Sequence, residues 1–172
     1  MRKSTRAYIY NASHLYDACH TSYKGKSEKQ RQKPEVMAVM QDVDGFSKKV
    51  LGEIFSGEYR VGEYSHFKLR DKKKERDISV LPYKDRCVQN LCKGAVEPLI
   101  SNQATDDMCA GLPLRGVTAS DHRWSVVKKI QHIMRSSHAV YMWQADICKF
   151  YDNIHNVLVM KQLERLVSDK VV

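Results

Sequence analysis

The chain's 172 residues are 42% hydrophobic, enough for one domain or for a domain and part of a second. Its 29 Lys and Arg against 20 Asp and Glu give a formal charge of +9, which favours a polyanionic partner, nucleic acid before an anionic membrane. No apolar run approaches the roughly 20 residues that span a bilayer, and the basic start Met1–Arg6 leads into Tyr, Asn and His rather than an apolar leader, so neither membrane insertion nor secretion is expected.

Residues 1–33 are polar and basic, and the spacing predicts a short helix around Ala12–His20 followed by a solvated Lys/Gln/Arg-rich stretch from Lys24 to Lys33. Pro34 suits a helix start. Val36, Val39, Met40, Val43, Phe46, Val50 and Ile54 recur at helical spacing, which predicts one helix over about 35–55, weakened by Gly45 and Gly52 and ended near Gly57. The period then changes to two. Tyr64–Leu69 and Arg76–Leu81 read as the strands of a β-hairpin with a charged tip over Arg70–Glu75, and Lys68–Arg76 holds six basic residues against two acidic ones.

Pro82 closes the second strand. A helix with Val88, Leu91, Cys92, Ala95, Val96 and Leu99 on one face should follow, kinked or ended by Pro98. Residues 101–120 read as loop. A helix over 121–136 should turn Val126, Val127, Ile130, Ile133 and Met134 inward. Ala139–Ala145 is apolar and β-prone and reads as a buried strand ending at Asp146, and Asn156–Ser168 as a helix with Val159, Leu163, Leu166 and Val167 on one side. The five cysteines (Cys19, Cys87, Cys92, Cys109, Cys148) form no CxxC pair and lack zinc-ligand spacing, so reduced thiols of a cytoplasmic protein are expected.

One arrangement points to chemistry. A carboxylate at the end of a core strand, Asp146, loses hydration unless it finds a partner, and a divalent cation is a natural one. The plainer alternative is a turn-capping Asp. The segment Gln144–Ile154 (Gln-Ala-Asp-Ile-Cys-Lys-Phe-Tyr-Asp-Asn-Ile) resembles the first palm carboxylate motif of reverse transcriptases. Upstream, Arg76–Gln89 is similar to the family's fingers motif, Arg-x-Ile followed by Asp-Arg-x-Val-Gln. Lys24-Gly25-Lys26, Glu35-Val36 and Gly57-Glu58-Tyr59 fall in the order seen in bacterial and phage enzymes, among them group II intron proteins and diversity-generating retroelements. The loop Cys109–Thr118 corresponds to a family segment in which Gly precedes the basic residue. Leu114 stands there instead, while Arg115-Gly116 is retained.

The resemblance implies an α+β chain: right-hand polymerase fingers with a basic hairpin and helices, then the first strand and helix of the palm, with the thumb absent. It divides the chain into a basic extension over 1–33, fingers over 34–136 and a palm start over 137–172. It also implies RNA-directed DNA synthesis with two Mg²⁺ ions in the complete enzyme. Asp146 would be the catalytic carboxylate and metal ligand, helped by the Ile147 carbonyl. Arg76, Arg86 and Tyr151 would meet the incoming nucleotide, since arginine binds phosphate oxygens bidentately. Lys72, Lys73, Lys74 and Arg115 would touch nucleic acid. The partners implied are an RNA template, a DNA or RNA primer and dNTPs. The family's aromatic-x-Asp-Asp turn does not occur in residues 147–172, so these 172 residues alone are expected to be inactive. The alternative is a non-catalytic RNA-binding module.

Overall fold

A computed structural model describes residues 4–71, 74–101, 119–136, 141, 143, 145–148, 150 and 153–167. Two compact units divide the chain, Met1–Ala95 and Val96–Val172. The fold is α+β, with helices and a small two-stranded sheet.

In the first unit, short polar caps set where helices begin. Helix α1 (Thr5–Ile9) starts at Ser4, and α2 (Ala12–Lys24) starts at Asn11, whose side chain accepts a hydrogen bond from the Ser13 N–H at 3.0 Å. Ser27 and Gln30 form a capping box for α3 (Glu28–Arg31), and Pro34 opens α4 (Pro34–Gln41). The single helix expected over 35–55 is two. Asp42 leaves helical geometry (φ −142°) and accepts from the Gly45 N–H at 2.8 Å, capping α5 (Val43–Phe55). An Asp before a Val-Asp-Gly first turn makes a better N-cap than a mid-helix residue, so the chain breaks there.

Helix α5 ends in a Schellman motif. The Gly57 N–H donates to the Ile54 carbonyl at 3.2 Å and the Glu58 N–H to the Glu53 carbonyl at 2.9 Å. Gly57 sits at φ +73°, a left-handed conformation that costs a residue with a Cβ about 1–2 kcal/mol. The hairpin follows. Strand β1 (Ser65–Asp71) pairs antiparallel with β2 (Lys74–Val80), from Ser65 opposite Val80 to Asp71 opposite Lys74. The ladder runs into the stretch expected to be tip, because opposite charges on facing residues let it continue.

Helix α6 (Tyr83–Ser101) begins in the first unit and runs past its end at Ala95. Leu15, Ala18 and Cys19 of α2 join Val36 and Val39 of α4, Val43, Val50 and Leu51 of α5 and Tyr83, Cys87 and Leu91 of α6 in one buried cluster. Burying an aliphatic side chain such as Leu15 or Val36 contributes about 1.5–3 kcal/mol. The helix expected around Ala12–His20 is α2, which runs on to Lys24 and forms a wall of the core, with Leu15 completely buried, while the Lys24–Lys33 stretch after it holds no buried residue but does fold in part as α3. The Asn90 amide donates to the Ser22 hydroxyl at 2.6 Å, tying α6 to α2.

Pro98 does not end α6, which continues to Ser101. The second unit holds α7 (Ala119–Ser136) and α8 (Asn156–Leu166). Residues 96–100, 124, 127–136, 141, 143, 145–148, 150 and 153–167 include none that is buried. Val127, Ile130, Ile133 and Met134, expected inward, are exposed, as is Val159. An amphipathic stripe marks a helix but stays wet unless another element covers it. Among the described residues no helix is long and apolar enough to cross a membrane.

Candidate nucleic-acid interface

The segment Tyr83-Lys84-Asp85-Arg86-Cys87 folds as the first turn of α6, and the helical repeat sends its side chains in different directions. Asp85 is only 4% exposed. Its carboxylate accepts from the Tyr59 hydroxyl in a short hydrogen bond and from the Gly62 N–H at 3.0 Å. A carboxylate in a first helical turn is also favoured by the helix dipole. Burial, and then the bond to Asp85, push the Tyr59 phenol well above its ordinary range, so it remains a donor. Gly57 is what lets the chain turn back so that Tyr59 reaches Asp85. Lys84 covers the same tyrosine, with Nζ 4.8 Å from the ring centre and 3.7 Å from a Glu53 oxygen.

Tyr83 looks the other way. It is buried, its hydroxyl donates to the Cys19 carbonyl at 2.9 Å, and its N–H donates to the Glu35 carboxylate at 3.2 Å. Lys26 stands over its ring, Nζ 4.9 Å from the centre. Burial, and next the Arg86 charge, lower the Lys26 ammonium's pKa below its ordinary value, while Glu35 partly offsets them. Cys19 is pushed far up by its hydrogen bond to Cys87 and by burial, which leaves it an inert core thiol. The segments around Lys26, Glu35 and Tyr59 and the Asp85-Arg86 pair, dispersed along the sequence, thus meet at the start of α6.

In the hairpin the register sets Lys68 opposite Asp77 and Arg70 opposite Glu75, and Lys68 Nζ lies 3.6 Å from a Glu75 oxygen. With Lys74 opposite Asp71, three of the six basic residues of this arm therefore face acids. Arg76 lies opposite Leu69, on the face that carries Phe67, Ile78 and Val80, and is exposed. Lys74 pairs with Asp71 as the first residue of β2, while Lys72 and Lys73 lie outside the described residues.

Arg86 is half-buried beside Lys26. Asp146 and Ile147 belong to the second unit and are exposed. The buried strand expected over Ala139–Ala145 is not formed by the described residues: Tyr141, Trp143 and Ala145 lie outside regular structure, and Tyr141 is 97% exposed. A strand needs a neighbour for its backbone, and the two strands among the described residues pair with each other. Tyr151 and Arg115 fall outside the described residues.

Among the described residues no three His, Cys, Asp or Glu side chains converge on a common point. Asp146 is exposed and has the chemistry of a Mg²⁺ ligand. Sequence reasoning missed the parts of Lys26, Glu35, Tyr59 and Asp85. The available signal was Asp85 two residues after Tyr83 and two before Cys87 in a helix whose apolar positions lead inward. Comparison with protein-family models, with curated proteins and with solved structures finds no match to this chain.

Proposed function

We propose that the chain is the N-terminal part of an RNA-directed DNA polymerase of a mobile or domesticated retroelement, comprising its fingers and the start of its palm. The observation that carries this reading is the meeting of Lys26, Glu35, Tyr59 and Asp85-Arg86 around the first turn of α6. These residues lie in the very segments whose order resembles bacterial and phage enzymes. Residues that share a motif for packing alone would be apolar. Here the shared place is polar and half-buried, with Lys26 and Arg86 near each other, and two neighbouring cations suit a phosphate-bearing ligand. The protruding hairpin adds exposed basic positions for a nucleic-acid backbone.

Primer extension on an RNA template with Mg²⁺ and dNTPs tests the reading on the gene product. Asp146→Ala is expected to abolish incorporation and leave RNA affinity unchanged. Incorporation that survives this substitution refutes the role of Asp146. A second reading is a non-catalytic RNA-binding module, which the exposed basic residues of the hairpin, Lys68 and Arg70, would serve equally. RNA binding without any incorporation, and without tightening of the primer–template complex by dNTPs, selects it.

A further inference from the structure

A flat pair of aromatic rings lies outside the core on the surface of the first unit. Phe55, the last residue of α5, stacks on Tyr10, the residue that caps the end of α1, with ring centres 3.8 Å apart and planes inclined by 12°. Arg6, one turn before Tyr10, holds its guanidinium carbon 5.4 Å from the centre of the same Tyr10 ring. Neither ring belongs to the buried cluster or to the side chains packed against it, and Phe55 is 57% exposed. Joining α1 to α5 therefore uses part of the Phe55 ring and leaves more than half of its surface in water. The turn after Phe55 carries a fixed cation. Arg60 is exposed, and its Nη1 donates to the Gly57 carbonyl at 2.8 Å and to the Tyr59 carbonyl at 2.9 Å, so a ligand need not order this side chain. The acid of that turn is the exposed Glu58, while Glu53 is engaged by Lys84 at 3.7 Å. A ligand that fits has a flat π-face for the ring and negative charge for the arginines. An unpaired nucleotide has both, whereas the bases inside a duplex are covered by their neighbours. The chain's charge of +9 favours the same partner over an apolar peptide.

We infer that Phe55, seated on Tyr10, is a stacking platform for one base of a single-stranded nucleic acid, with Arg60 and Arg6 meeting the phosphates beside it. None of these four residues lies in the segments that resemble polymerase motifs. The inference rests on the proposed function only for the identity of the strand, and it involves neither dNTP nor Mg²⁺. Primer extension can fail with the platform intact, and the platform can fail with primer extension intact.

The test is titration of the chain into an oligouridine strand that carries one 2-aminopurine, whose fluorescence falls when the base stacks, and into the same strand fully paired with its complement. Phe55→Leu keeps an apolar side chain and removes the ring. It should weaken single-strand binding by about tenfold and reverse most of the quenching. Phe55→Trp keeps an aromatic face and should bind at least as tightly as wild type. Stacking releases no counterions, so the ratio between wild type and Phe55→Leu should be the same at low and high salt. Arg60→Ala should instead flatten the slope of log affinity against log salt by roughly 0.7. The paired probe should not distinguish wild type from Phe55→Leu. The platform is overturned if Phe55→Leu binds the single strand as tightly as wild type, or if it weakens the paired probe equally. It is overturned too if Phe55→Trp loses as much as Phe55→Leu, which would mark the ring as a support for the α1–α5 junction alone. Failure of the single strand to bind at all leaves this face to another partner and likewise overturns it.

Discussion

Tyr59 and Asp85, 26 positions apart, are joined by a short hydrogen bond that fastens the segment after α5 to the first turn of α6. Tyr59→Phe deletes one of the two donors that Asp85 holds and leaves a buried carboxylate less satisfied. The expected loss is about 1–3 kcal/mol in urea unfolding near neutral pH. The pH dependence has a definite sign. The folded Tyr59 phenol titrates above its ordinary value of 10.0, so on raising the pH the unfolded state gives up that proton first. The stabilisation is complete below pH 10 and disappears as pH rises towards the folded value. The gap between wild type and Tyr59→Phe should accordingly be flat below pH 10 and narrow above it. A gap that widens with alkali would contradict the assignment.

Leu15→Ala should cost about 2–5 kcal/mol, as for other large-to-small changes at buried sites. If the N-terminal helices were a solvated extension, the same substitution would change stability by no more than roughly 0.5 kcal/mol. Denaturant midpoints of the two proteins decide between these outcomes.

Gly57 and Gly52 make an internal pair of controls. Gly57→Ala places a Cβ on a residue at φ +73° and should destabilise by about 1–2 kcal/mol. Gly52 lies inside α5, where an added Cβ meets nothing within 4 Å, so Gly52→Ala should stabilise by about 0.5–1 kcal/mol. Thermal unfolding of both variants checks the opposite signs.

Replacing Lys72, Lys73 and Lys74 together with alanine should weaken RNA binding evenly across sequences. Each lysine that neutralises a phosphate should, on removal, flatten the slope of log affinity against log salt by roughly 0.7–0.9. A slope that is unchanged by the triple substitution would remove the hairpin tip from the interface.

Much of the fold was legible because alternation and helical repeat are local signals. The hairpin came from the period-two run around Phe67 and Ile78, and α7 came from Val127, Ile130, Ile133 and Met134. What those signals do not carry is whether a face is covered. The same α7 residues are exposed, whereas Leu15 and Cys19, in a sequence rich in polar residues, are buried. The break at Asp42 was hidden because a single capping side chain outweighs continuing apolar spacing. Arg86 was legible by resemblance. The segments that hold Lys26 and Glu35 were legible in the same way, but their meeting with Arg86 was not, because it comes only through the packing of α2 and α4 in the same core as α6. The apolar run before Asp146 shows the limit of composition: β-prone residues propose a strand, and a partner strand is what makes one.

The strict facing order of the hairpin, Phe67 across from Ile78 and Lys68 across from Asp77, also governs how the arm can change length. One residue added to a single strand would rotate everything beyond it to the opposite side or force a bulge, mixing the aliphatic side with the charged one. One residue added to each strand at the same level would preserve every partnership nearer the base and extend the reach by about 3.4 Å. Growth of this arm is therefore expected in matched steps, with unpaired additions confined to the connection at residues 72–73.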